Sequence, residues 1–402
     1  MSAVTLENIE QAYQLLAPVV HRSALDLSHT FSQMVGQPIY LKLENLQKTG
    51  SFKIRGAYNK IQSLTDAEQR AGVIAASAGN HAQGVAYAAG VAGISATIVM
   101  PEGAPLAKVM ATRGYGARVI LSGSCYDEAY QAAKKLQQEQ GLTFIHAFDD
   151  AQVIAGQGTI GLEILEQLPQ VKNIVIPIGG GGLAAGIVTA IKARAPHVKV
   201  IGVEAKGAAA MYLSWQQHSL QVTAAAATMA DGIAVKVPGE ITFPIINQLI
   251  DDIVLVDDED IASTILMLLE RSKQLVEGAG AISLAAVLTT AAAVTGETAC
   301  IISGGNIDVN FIARIIERGL VKAGRRIKIS ARIADRPGAL QDLLALVARL
   351  KANVIHVLHD RLERQVPIGQ AVIEISLETR DVDHTEAMLA LLRQQGYQVR
   401  LL

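Results

Sequence analysis

The run Lys48-Thr49-Gly50-Ser51-Phe52-Lys53-Ile54-Arg55-Gly56-Ala57 decides how the rest of the chain is read. It follows Ile39-Tyr40-Leu41-Lys42-Leu43-Glu44, whose alternation predicts a strand with one buried face. Ser51 is then expected to cap a helix, with Lys53 in the first turn. Cations are disfavoured there, because free N–H groups and the helix dipole make that end positive. Flanked by apolar Phe52 and Ile54, the Lys53 amine is expected to lose its proton more readily than an ordinary lysine, which suits a nucleophile or Schiff-base former.

Three further segments repeat the same strand–turn–helix grammar. Asn173-Ile-Val-Ile-Pro-Ile ends in Gly179-Gly180-Gly181-Gly182-Leu183 before a helical run, Ala184 to Arg194. Bare backbone at a helix N-terminus leaves N–H groups unobstructed and suits a phosphate. Ala299-Cys-Ile-Ile ends in Ser303-Gly304-Gly305-Asn306 before a helix expected over 309–318, and Ala76-Ser77-Ala78-Gly79-Asn80-His81 forms another such turn.

Ser51-Phe52-Lys53, Ser77-Ala78-Gly79-Asn80-His81, Gly179 to Gly182 and Ser303-Gly304-Gly305-Asn306 together resemble the serine/threonine dehydratases, pyridoxal-phosphate enzymes of the second (tryptophan synthase β-like) fold type. The match is ordered across residues 1 to about 320. It implies a two-lobed α/β catalytic domain over 1–320, with a smaller lobe at about 50–150 inserted into a larger one. It also implies β-elimination: L-threonine to 2-oxobutanoate and ammonia, with L-serine to pyruvate beside it.

The resemblance supplies roles that residue chemistry makes reasonable. Lys53 would hold pyridoxal phosphate through its amine, be displaced by the substrate amine, and then take the Cα proton. Phe52 would pack beside the cofactor ring, Asn80 would bond its 3′-oxygen, and Gly179, Gly180, Gly181, Gly182 and Leu183 would cradle its phosphate. Glu277 would lie near the ring and Ser303 would face the pyridine nitrogen. A hydroxyl there makes the ring a weaker electron sink than a carboxylate would, which favours prompt elimination over transamination. Ser77, Ala78, Gly79, Asn80 and His81 would form the loop receiving the substrate carboxylate. For His81 a locally bonded helix-start histidine is at least as good a reading; a helix-capping Ser303 and a helix-end Glu277 are the weaker alternatives for those two residues.

Composition agrees with a globular enzyme. The 402 residues are 50% hydrophobic and 18% charged, enough for a large core and more than one domain. A net charge of −2 gives no footing for nucleic acid or an anionic membrane. Cys125 and Cys300 are too few for a disulfide framework, and the N-terminal residues lack an apolar leader core, so a cytoplasmic location is expected. Near-continuous apolar strands such as Ala96-Thr-Ile-Val-Met alternate with helices, which predicts parallel sheets covered on both faces.

After a glycine-bearing linker at 321–326, the pattern restarts as βαββαβ over 327–402, a ferredoxin-like order. Asp335-Arg336-Pro337-Gly338, the turn after its first strand, resembles the ACT regulatory domain, which binds amino acids at subunit interfaces. That implies a homo-oligomer, dimer or tetramer, modulated by a branched-chain amino acid such as isoleucine or valine.

Two departures from related serine racemases matter. Their second base is replaced by Ala78, so racemisation is expected to be at most a side reaction. Their metal-binding pair is incomplete, since Glu204 is followed six positions on by Ala210; no metal site is expected. His356 and His359 point to opposite faces of a strand and do not form one either. Other readings remain open: an L-serine or 3-hydroxyaspartate dehydratase, a non-catalytic amino-acid-binding regulator, and an NAD-dependent dehydrogenase. The last draws on Gly179-x-Gly181-x-x-Ala184 with Glu204 at the end of the next strand, but leaves Lys53, Asn80 and Ser303 without a role.

Overall fold

A computed structural model describes residues 4–362 and 366–402. The chain forms two compact units, Met1–Asp308 and Val309–Leu402. No described helix is long and apolar enough to cross a membrane.

The first unit holds two sheets. The larger has six strands in the order Leu25–Leu27, Ile39–Leu43, Thr298–Ile302, Asn173–Pro177, Lys199–Ala205 and Asp252–Val256. All neighbours are parallel except the short edge strand Leu25–Leu27. The smaller sheet runs Arg118–Leu121, Ala96–Met100, Val73–Ala76 and Thr143–Phe144, parallel throughout. Its strands fall between residues 73 and 144. The strands Asn173–Pro177, Thr298–Ile302, Val73–Ala76 and Ala96–Met100 are buried along their whole length. Helices therefore cover both faces, as their unbroken apolar sequences require.

Helix Lys53–Gln62 crosses helix Ala151–Gln167 almost backbone to backbone. A Cβ on Gly156 would lie 2.6 Å from the Arg55 carbonyl oxygen, and one on Gly56 would lie 2.4 Å from the Gln157 side chain. Only glycine permits that approach. The crossing fixes where Lys53 sits relative to the strand ends.

Helix Val309–Lys322 opens the second unit. It extends four residues past the expected 309–318, because the amphipathic pattern continues through Leu320 and Val321; Gly324, at φ +64°, follows its end. The turn between helix and strand is thus shorter than the 321–326 linker anticipated. Then follow strand Arg326–Ala334, helix Ala339–Arg349, strands Asn353–Asp360 and Gln370–Glu378, helix Val382–Gln394 and strand Gln398–Leu401. The antiparallel sheet order is Asn353–Asp360, Gln370–Glu378, Arg326–Ala334, Gln398–Leu401. This is the ferredoxin-like arrangement. Ile329, Ala331, Ile373 and Ile375 bury one face against Leu343, Val347, Met388 and Leu392 of the two helices.

Candidate active site

The turns after four parallel strands converge in the first unit, as expected for ligand sites in open α/β sheets. The Lys53 segment and the turn after Thr298–Ile302 are stitched together directly. Ser51 pairs with Gly304 in an isolated antiparallel bridge, Phe52 N–H donates to Ser303 O at 3.2 Å, and Gly305 N–H donates to Gly50 O at 2.9 Å. This pairing overturns the expected cap: Phe52, not Ser51, precedes the helix, and no side chain caps it. The backbone on either side of Ser51 is bonded to residues 303 and 305 instead. Its Oγ, like that of Thr49, is buried without a hydrogen-bond partner.

Lys53 opens its helix with the amine buried, donating to Ala147 O at 2.8 Å and lying 5.2 Å from the centre of the Phe52 ring. Burial lowers its pKa from 10.5 to about 8, with Glu277 opposing weakly. The expected direction holds, and desolvation is its main cause. No carboxylate forms an ion pair with this amine among the described residues.

Asn80 and Glu277 meet. Asn80 Nδ2 donates to Glu277 Oε1 at 2.6 Å, and Glu277 N–H donates to Gly304 O at 3.1 Å. Burial, with Asp231 adding to it, raises the Glu277 carboxyl to about 7. Ser303 is buried, its hydroxyl donating to Ala279 O at 3.0 Å. Ser77 Oγ accepts from Gly79 N–H at 3.2 Å, and a Cβ on Gly79 would meet open space. Ala78 packs against the small-sheet core. His81 is buried and neutral, held down to about 3 by burial, and its Nε2–H donates to Ile145 O at 2.9 Å. That bond crosses 64 positions of sequence and is not the local helix-start bond considered above.

The glycine turn reaches the same place through segment 146–149. Gly181 stands at φ +97°, in the left-handed region that favours glycine. A Cβ on Gly180 would strike the Phe148 ring at 2.4 Å, and Thr242 Oγ1 donates to Gly180 O at 2.6 Å. The helix then runs Gly182–Arg194, starting two residues earlier than the sequence suggested. Ala185 N–H makes the first intrahelical bond, to Gly181 O, so the N–H groups of Gly182, Leu183 and Ala184 precede the ladder. Such a terminus accepts a phosphate. A buried amine of lowered pKa, an anion-accepting helix start and unpartnered buried hydroxyls at Thr49 and Ser51 fit an aldehyde-bearing phosphate cofactor.

Glu204 has other work. It accepts from Met211 N–H at 3.2 Å and Tyr212 N–H at 2.7 Å at the start of helix Ala210–Gln216, and burial raises it to about 8. Among the described residues, no group of three or more His, Cys, Asp or Glu side chains could hold a metal ion. In the second unit, Asp335 pairs with Arg361 at 3.1 Å and Arg336 with Asp342 at 3.4 Å, while Gly338, at φ +88°, precedes helix Ala339–Arg349.

Residues 17–305 match the family model described as "Pyridoxal-phosphate dependent enzyme". The chain belongs to the pyridoxal-phosphate-dependent enzymes. It is 53% identical to L-threonine ammonia-lyase of Thermotoga maritima over 398 residues, 99% of both chains. It is 51% identical to that of Geobacter sulfurreducens over 395 residues, 98% of both. Among solved structures, maize serine racemase superposes with a TM-score of 0.75 at 36% identity, covering 80% of this chain and 99% of that one. The processed threonine deaminase isoform 2 of Solanum lycopersicum does so with 0.74 at 39%, covering 78% and 87%. The recognised family and fold thus agree with the sequence reading.

Sequence reasoning missed two features. Arg55 and Lys42 are buried in an ion cluster with Glu44 and Glu163. Asn306, noted only as the end of a motif, bonds Asn80. Neither contact leaves a local signal in the sequence, since the partners are 108 and 226 positions apart.

Proposed function

We propose that this enzyme deaminates L-threonine to 2-oxobutanoate and ammonia, with L-serine to pyruvate as a slower reaction. The observation that carries the reading is the buried, carboxylate-free Lys53 amine at the meeting point of the glycine turn, Asn80 and Ser303. The near full-length likeness to two L-threonine ammonia-lyases favours threonine over 3-hydroxyaspartate or serine as the main substrate.

Lys53 would hold the cofactor, with Phe52 beside it, Gly179 to Leu183 around its phosphate, and Asn80, Glu277 and Ser303 about its ring. When bound, pyridoxal phosphate supplies an electron sink for the charge left at Cα. With its amine free, Lys53 would take the Cα proton; a pKa near 8 suits a base working near neutral pH. The N–H groups at the start of helix Asn80–Ala92, with Ser77 and Gly79, would orient the substrate carboxylate. His81, neutral and bonded to Ile145, holds the loop without moving a proton. Ser303 offers the ring a hydroxyl, which favours elimination. Ala78 offers no second base, which keeps racemisation minor despite the likeness to serine racemase.

The second unit is read as an ACT-like regulatory domain, with Asp335, Arg336, Pro337 and Gly338 near an effector site and 1–320 as the catalytic domain. A homo-oligomer, dimer or tetramer, located in the cytoplasm and tuned by isoleucine or valine, completes the proposal. Coupling between the sites would be on the order of 1–3 kcal/mol. Production of 2-oxobutanoate from L-threonine, run beside L-serine and with isoleucine or valine added, tests it. Turnover favouring threonine and altered by either effector is expected. No threonine turnover by protein carrying a borohydride-sensitive visible band would reject the substrate assignment.

A further inference from the structure

Asn306 ends the turn after strand Thr298–Ile302 and reaches across to both Thr49 and Asn80. Its Nδ2 donates to Thr49 O at 2.8 Å and to Asn80 Oδ1 at 2.8 Å. A backbone carbonyl only accepts, so the first bond settles which end of the Asn306 amide faces residue 49. With both N–H groups directed this way, Asn80 must turn its oxygen to Asn306. Its own Nδ2 then donates to Glu277 Oε1 at 2.6 Å. The order of donors and acceptors is therefore dictated from a fixed main-chain oxygen through two amides to a buried carboxyl. Turning Asn80 over would set its Oδ1 against the Glu277 oxygen and its NH2 against that of Asn306, losing two bonds and creating two repulsive contacts.

We infer that Asn306 is a positioning residue: by fixing the Asn80 amide it holds an N–H, not an oxygen, toward Glu277 in the site where Lys53 would hold the cofactor. This rests on the placement of the cofactor proposed above. Truncating Asn306 frees Asn80 to turn, and Glu277 loses a donor to its charged form. The other groups facing Glu277 are Asp231, which raises it, and Lys108 and Lys53, which lower it. None of them bonds Asn80, so the chain from Asn306 acts independently of them.

The test is a double-mutant cycle in full-length enzyme with Asn306→Ala, Asn80→Ala and both together. Three quantities are read: the Glu277 titration midpoint from its carboxyl infrared band, with Glu277→Gln as blank; kcat and KM; and the borohydride-sensitive visible absorption. Asn306→Ala alone should raise the Glu277 midpoint and lower kcat about tenfold with KM within about twofold. Adding Asn306→Ala to Asn80→Ala should change each by less than about twofold, because the route through Asn80 is already cut. Equal losses in both backgrounds would overturn the inference and leave Asn306 a clip for residue 49. Asn306→Leu, uncharged, close in size and able to fill the space beside Gly50, gives the same cycle should the alanine variant fail to fold. The infrared midpoint needs no cofactor. Coupling in protein that never develops the visible band would reject the cofactor placement while upholding the amide chain, whereas the band with additive losses would reject the positioning role alone.

Discussion

Lys53 and Arg55 stand two residues apart on one buried helix and meet opposite electrostatic fates. At about 100° per residue they project to different sides of it. Arg55 is fully buried and donates to Glu44 at 2.9 and 2.7 Å, to Glu163 at 2.6 Å and to Thr159 at 3.2 Å. Burial alone would favour losing its proton; the two carboxylates more than reverse that, and its pKa rises. Burial likewise pushes Glu44 up, and Arg55 brings it down below the ordinary carboxylate range. Lys53 suffers the same desolvation but faces a carbonyl and the distant Glu277, so it falls to about 8. Desolvation bears on both cations, yet one becomes a structural anchor and the other the proposed reagent. The difference is the number of carboxylates within reach.

The largest effect separates the two by removing the reagent. Lys53→Ala should lower threonine turnover by at least about a thousandfold. Its thermal midpoint should stay level or rise, because a buried amine without an ion-pair partner is a cost to the fold. Assay and calorimetry on the same preparation decide it. Turnover within tenfold of the parent would remove Lys53 from the chemistry.

Next, Glu163→Gln attacks the anchor. Glu163 serves both Arg55 and Lys42. Stripping one partner from a buried ion cluster leaves uncompensated charge and costs about 3–5 kcal/mol. A thermal midpoint lowered by on the order of ten degrees is expected, with the visible absorption of surviving folded enzyme unchanged. A variant as stable as the parent but altered in absorption would reverse the roles assigned to the two sides of the helix.

What was legible in the sequence divides along the same line. Lys53, the glycine turn and Ser303 could be found because each sits in a strand–turn–helix unit a dozen residues long, where period and glycine placement speak locally. The βαββαβ order of the second unit was legible for the same reason. The counterions of Arg55 were not, because Glu163 comes from a helix whose own pattern reads simply as apolar. The Ser51 cap failed on a long-range pairing: residues 303 and 305 bond the backbone on either side of Ser51, and no local propensity announces it. Asn306 joins Asn80 only because two strand ends from different sheets meet. Local motifs singled out the proposed reagent, while the environment that lowers its pKa belongs to tertiary structure.

The pH dependence of Lys53 sharpens the contrast without disturbing the fold. In full-length protein stripped of cofactor, only the neutral amine attacks an aldehyde. Lys53 should therefore capture added pyridoxal phosphate at a rate that rises with pH through about 8 and levels off above it, far below the 10.5 of an ordinary lysine. Stopped-flow absorbance across pH 6–10 reads this directly. A midpoint near 10 would mean that burial leaves this amine unperturbed.

Glu277→Gln probes the carboxyl that, among the described residues, acts on Lys53, and should give the smallest shift. The Glu277 charge raises the Lys53 pKa, so removing it should move the capture midpoint below about 8, by less than about one pH unit. The sign carries a second condition. Glu277 itself titrates near 7, because burial holds its carboxyl up. Below that pH it is largely protonated in the parent and exerts little pull, so parent and variant curves should converge on the acid side and part only above about pH 7. Curves displaced by the same amount at every pH would show that Glu277 acts on Lys53 through packing and not through charge. No displacement at any pH would mean that its carboxylate does not stabilise the ammonium, and Lys53 would then owe its pKa to desolvation alone.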